Sequence, residues 1–201
     1  MLRLKVLLFA CVLSTVASHQ PSLVQVVTKP PLRLKLEKGA VEENTYKNAS
    51  LGLELTPAPG LKFGTPQMKG TLGTAPLIVT IAAQSEKGFF SETESTVFYA
   101  DALAYYPEDQ RSTEAYVKKL TRANIRFGYM PISSVPNSQL GGVSFFRSDF
   151  RKDSKYEVVF IKSCDVYAFV FAFVGADVDA VDSLVLGTKV KLDLRQSGCV
   201  N

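Results

Sequence analysis

Few residues in this chain have types and spacings that could do chemistry. His19 is the only histidine, so a serine or cysteine hydrolase working through an imidazole base has no material in the body of the chain. There is no G-x-S-x-G elbow and no G-x-x-x-x-G-K-[ST] phosphate loop, and no G-x-G-x-x-G follows a strand. Asp177, Asp179 and Asp182 have the look of a cation-site fragment, but the glycine and the distal bidentate acid of an EF-hand loop are missing. At a helix start such carboxylates cap free amides and complement the helix dipole. Glu108 and Asp109 beside Arg111 read as a solvated turn. These residues name no reaction, no metal ligand set and no cofactor, and the expectation is a protein that is not an enzyme.

Other features concern binding and covalent structure. Tyr167, Phe169, Phe171 and Phe173 recur at every second position in "VYAFVFAFV", so in a strand they share one face. That row is either core or the wall of an apolar ligand pocket. Cys164 and Cys199 remain once Cys11 leaves with the amino-terminal segment, an even count that permits a disulfide in an oxidising compartment. "FFRSDFRKDSKY" interleaves rings and cations as some single-strand nucleic-acid binders do; here it fits a strand entering a charged hairpin turn. Asn48-Ala49-Ser50 is a glycosylation sequon.

The amino terminus gives the compartment. Arg3 and Lys5 precede an apolar stretch from Val6 to Val16, and Val16-Ala17-Ser18 offers a small-residue cleavage site, the plan of a secretory signal peptide. The stretch falls short of the ~20 residues a bilayer-crossing helix needs. Residues 1–18 are therefore read as a signal, and the mature chain as secreted or periplasmic without a transmembrane span. Losing Arg3 and Lys5 lowers the formal charge from +4 to +2, which gives no reason to expect a nucleic-acid partner.

The elements that must hold these residues follow from periodicity. Residues 19–44, with Pro21 and Pro30-Pro31, read as an extended linker or edge segment, and 45–201 as one domain. Strands are expected at 51–55, 61–63 and 76–84, at 143–150, 156–163 and 166–174, and at 189–194. Val97, Ala100, Leu103 and Ala104 fall at helical spacing, so 91–107 reads as a helix ended by Pro107. A second helix starts at Ser112 or Thr113, and a third has Asp177 as N-cap. The stretch 131–142, with Pro131, Pro136 and Gly141-Gly142, reads as loop. The strand 166–174 is apolar on both faces, so it belongs mid-sheet: its small residues admit a close helix, its rings need a roomier layer.

Tyr46 and Asn48 before "LGLEL" and a Pro-Gly turn, then "YYPEDQRSTEAYVKKL", "LGGVSFFRSDF" and the aromatic strand leading to Asp177–Leu186, resemble the Mog1/PsbP-like domains. The likeness extends to small exported bacterial proteins of that pattern and covers roughly residues 45–195. Leu61 stands where that family carries a turn tryptophan. The resemblance implies an α+β fold, a central twisted antiparallel sheet sandwiched between helices, and members that act mainly as binding or assembly factors. The expected function is thus an exported, non-catalytic accessory module that binds another exported or envelope protein. The alternatives are a carrier of an apolar molecule on Tyr167, Phe169, Phe171 and Phe173, or an enzyme without a histidine-based site.

Overall fold

A computed structural model describes residues 36–69, 78–85, 94–103, 106–164 and 166–195. Residues 1–18, expected to be a signal and including Cys11, and Cys199 lie outside them. The compact unit that takes in Leu32–Asn201 is built mainly of strands. Its first sheet has four: β1 (Ala40–Glu42), β2 (Thr45–Asn48), β3 (Leu53–Thr56) and, from the far end of the chain, β12 (Lys189–Leu192), in the order β1-β2-β3-β12. The second sheet runs β4 (Leu61–Phe63), β6 (Ile78–Ser85), β7 (Ser95–Ala102), β11 (Tyr167–Gly175), β10 (Lys155–Ser163), β9 (Val143–Lys152), β8 (Met130–Leu140), with β5 (Gln67–Lys69) also on β6. Both sheets are antiparallel throughout.

Two α-helices complete the described residues, α1 (Thr113–Arg126) and α2 (Val178–Gly187). Ser112 Oγ caps α1 by accepting from Ala115 N–H at 3.1 Å, and Asp177 Oδ1 caps α2 through Ala180 N–H at 2.8 Å. These are the short polar acceptors that helix starts favour.

The expected α+β layering, one sheet between helices, is not what forms. Strands make up 54 % of the described residues and helical turns 22 %, so the unit is a β-rich sandwich of two sheets. Two local readings account for the difference. Residues 95–102 are strand β7, not helix, because Thr96, Phe98 and Ala100 turn inward while Ser95, Val97 and Tyr99 are half-buried. That alternation has a period of two, and β-branched and aromatic residues suit a pleated surface. Residues 130–140 are strand β8, not loop. Their prolines are tolerated because β8 is an edge strand with bulges between Pro131 and Ser133 and between Val135 and Ser138. Gly141 and Gly142, with φ of 59° and 78°, make the tight turn into β9.

Strand β11 lies fourth of seven in the main path of the large sheet. Its small face, with Ala168, Val170 and Ala172, forms a core with Tyr116 and Val117 of α1 and with Phe150, Val159 and Ile161. Its aromatic face packs with Leu53 and Leu55 of β3, Val190 of β12, Tyr46 of β2, and Val181 and Leu184 of α2. The roomier layer is the four-stranded first sheet, with α2 beside it. Tyr46 bridges the sheets, its ring centroid 6.0 Å from Phe98.

Candidate functional site

Tyr167, Phe169, Phe171 and Phe173 all lie in β11, and all are buried. Their rings meet one another and their neighbours: Phe171 is 4.9 Å from Phe98 and 5.5 Å from Phe145, Phe173 is 5.9 Å from Phe160, and Tyr167 is 6.3 Å from Phe169. Most of these contacts are edge-on, the arrangement aromatic quadrupoles favour. Cys164, at the end of β10, is disulfide-bonded, and the chain's other cysteines lie outside the described residues. Among the described residues, no group of three or more His, Cys, Asp or Glu could hold a metal ion, and no helix is long and apolar enough to cross a membrane.

Two polar clusters that sequence reading did not single out lie in the sandwich. Under α1, Asp101 of β7 is 2 % exposed. Its Oδ2 accepts from Tyr106 Oη at 2.8 Å and Tyr116 Oη at 3.0 Å, and Lys119 Nζ lies 3.8 Å away. Lys119 also donates to Tyr106 Oη at 2.8 Å. Burial, then the neighbouring Tyr99, Asp101 and Tyr106, push the Tyr116 hydroxyl well above the ordinary phenol range; burial and Asp101 do the same for Tyr106. These phenols stay protonated donors at neutral pH, so the cluster ties α1 and the turn before it to β7. On the other face, Asp149 accepts from Arg147 Nε at 2.8 Å, Ser133 Oγ at 2.9 Å and Tyr156 Oη at 3.2 Å. Its hydrogen bonds hold the Arg147 guanidinium above its ordinary value, and the group pins β8 to β9 and β10.

Glu157 of β10 is different in kind. It sits half-buried under the last turns of α1, where Asn124 Nδ2 approaches at 3.5 Å, and desolvation raises its carboxyl to about 7. Because the folded state holds this proton more tightly than the unfolded chain, its contribution to stability is complete below the ordinary carboxyl value. That contribution fades as pH rises through about 7. Chemical denaturation between pH 5 and 8 is therefore expected to show stability falling with pH by about 1–2 kcal/mol, discounted for partial exposure, and Glu157→Gln is expected to remove that slope.

The surface feature that stands out lies at this same end of α1. Ile125, Phe127, Met130 and Ile132 are 51 %, 70 %, 62 % and 52 % exposed, in the short run from the last turn of α1 into β8. Basic groups occur in the same elements and in the adjoining β9. Arg122 and Arg126 stand one turn apart on α1, Arg151 of β9 lies opposite Met130, and Lys152 Nζ donates to the Phe127 carbonyl at 2.7 Å. Residues 113–155 hold eight basic and three acidic side chains, a net +5 against +4 for the whole chain. Sequence reading missed this site because it assigned 131–142 to loop. The available signal was Ile125, an apolar residue off the buried stripe of Tyr116, Val117 and Leu120.

A shallow groove of about 540 Å³ lies at the small sheet, lined by residues including Lys47, Asn48, Glu54, Lys191 and Asp193. Its charges are partly paired, Lys191 with Glu54 at 3.0 Å and Lys47 with Glu42 at 2.8 Å. No family model matches this chain, and no curated protein matches it.

Proposed function

We propose that this is an exported, non-catalytic accessory module that binds another exported or envelope protein, and that it does so with the carboxyl-terminal end of α1 and the start of β8. The observation that carries the reading is the exposure of Ile125, Phe127, Met130 and Ile132, each more than half open to solvent, in a unit whose other large rings are mostly packed away. Exposed apolar groups rimmed by polar ones mark interaction surfaces. The resemblance to Mog1/PsbP-like domains, whose members act mainly as binding or assembly factors, points the same way for function, although the layering is not theirs.

The test is photo-crosslinking in the native host with Phe127→benzoylphenylalanine. The expected result is one recurring envelope or medium protein, captured in near-equimolar amount and lost when Met130→Asp and Ile132→Asp are added. The same probe at Lys189, on the small sheet, is expected to capture none. A random spread of products from position 127, or none, overturns the reading.

A further inference from the structure

Resting on that reading, we infer the chemistry of the partner: the α1–β8 surface docks an acidic polypeptide segment carrying apolar side chains, recognised side chain to side chain and not by strand addition.

The backbone comes first. An edge strand is the usual template for an added strand. In β8, however, Pro131 and Pro136 offer no N–H, and bulges interrupt the strand at Pro131/Ser133 and Val135/Ser138. Both devices blunt an edge against pairing. What remains for recognition is the side chains.

Their charge selects the occupant. Arg122, Arg126, Arg151 and Lys155 make no ion pair among the described residues, so their charge is not neutralised within the fold. Arg122 and Arg126 belong, one turn apart, to the helix that carries Ile125, and Arg151 is in register with Met130. A second copy of the chain would bring the same cations, Arg122, Arg126, Arg151 and Lys155, against themselves, and their repulsion disfavours self-association there. Guanidinium forks at fixed spacing on a helix and a strand match carboxylates that are themselves at fixed spacing, as on a polypeptide. A fluid lipid surface would need no such placement. Phe127, at 70 % exposure, supplies the aromatic anchor that dominates many interfaces.

The experiment compares the mature protein, its disulfide intact, with the charge reversal Arg122→Glu/Arg126→Glu/Arg151→Glu and with Phe127→Ala. Two probes are used: a fluorescent helical peptide of glutamate with phenylalanine along one face, and vesicles of phosphatidylcholine with about one third phosphatidylglycerol. Peptide binding is expected to weaken with salt and to fall at least about tenfold in the triple variant. Phe127→Ala is expected to weaken it by a similar factor, and Lys189→Glu to leave it unchanged. Melting curves matching wild type show that the reversed surface still folds. Failure of the peptide to bind, binding indifferent to charge reversal, or binding to vesicles in preference to peptide each overturns the inference. If crosslinking at 127 captures a stoichiometric protein while the triple variant captures it equally well, the partner's acidity is refuted and the protein-binding reading stands.

Discussion

Phe171→Ala is expected to destabilise the protein by about 3–5 kcal/mol, more than any other single truncation in the aromatic row. The residue is wholly buried. It is in register with Phe160 on one side and Phe98 on the other, and its ring meets Phe98 at 4.9 Å and Phe145 edge-on at 5.5 Å. Contacts from three other strands of the large sheet therefore converge on one side chain, within the core that the two sheets share. The hole left by alanine cannot close easily, because its walls are rings fixed on three neighbouring strands, and cavity cost grows with the volume that fails to collapse. Phe171→Leu keeps most of the volume and is expected to cost about 1–2 kcal/mol. Urea unfolding with the disulfide intact reads the effect as a fall in midpoint at unchanged slope. A loss below about 1 kcal/mol would mean that the rings are not packed as a core.

That face is legible in the amino-acid sequence alone. Nine residues apolar on both sides, small on one and aromatic on the other, demand a mid-sheet position, and β11 has it, with α1 against Ala168, Val170 and Ala172. The caps Ser112 and Asp177 are legible for the same reason, since a cap is decided within three or four residues. What covers the rings is not legible. The small sheet joins 40–56 to 189–192 through strands of three or four residues, too short to show a period, and its closing pair joins partners more than a hundred residues apart. Strand β7 misleads because Val97, Ala100 and Leu103 fit helical spacing as well as they fit a strand. Cross-strand partners settle it: Phe98 sits between Ile81 and Phe171, which local propensity cannot see. The candidate surface is hidden similarly, because Met130 and Ile132 become notable only once the rest of the fold fails to cover them.

Asn48→Ala is expected to cost about 3–4 kcal/mol, through unmet hydrogen bonds and not lost apolar area. Asn48 is 1 % exposed and ends β2. Its Oδ1 accepts from Ser50 Oγ at 2.7 Å and from Leu51 N–H at 3.2 Å, capping the short helical turn Ala49–Leu51. Its Nδ2 donates to the Glu37 carbonyl at 2.8 Å and to Tyr46 Oη at 2.9 Å. Tyr46 in turn donates to the Lys38 carbonyl at 3.1 Å. Gly39 lets the leading segment lie this close, since a Cβ there would come within 2.6 Å of the Tyr46 ring. Alanine would strand the Leu51 amide and the Glu37 carbonyl together, and a buried group left unpaired costs its full desolvation. Asn48→Asp separates the two functions. It keeps the capping acceptor but turns the donating end into a carboxylate oxygen facing the Glu37 carbonyl, so it is expected to be no better than alanine. An aspartate variant as stable as wild type would show that the cap alone matters. The same geometry bears on the sequon. The nitrogen a glycan would occupy donates twice inside this corner, so a glycan on Asn48 is expected to be incompatible with the packing of the leading segment against β2. A glycan found there on folded protein would mean that the leading segment does not pack against β2 as described.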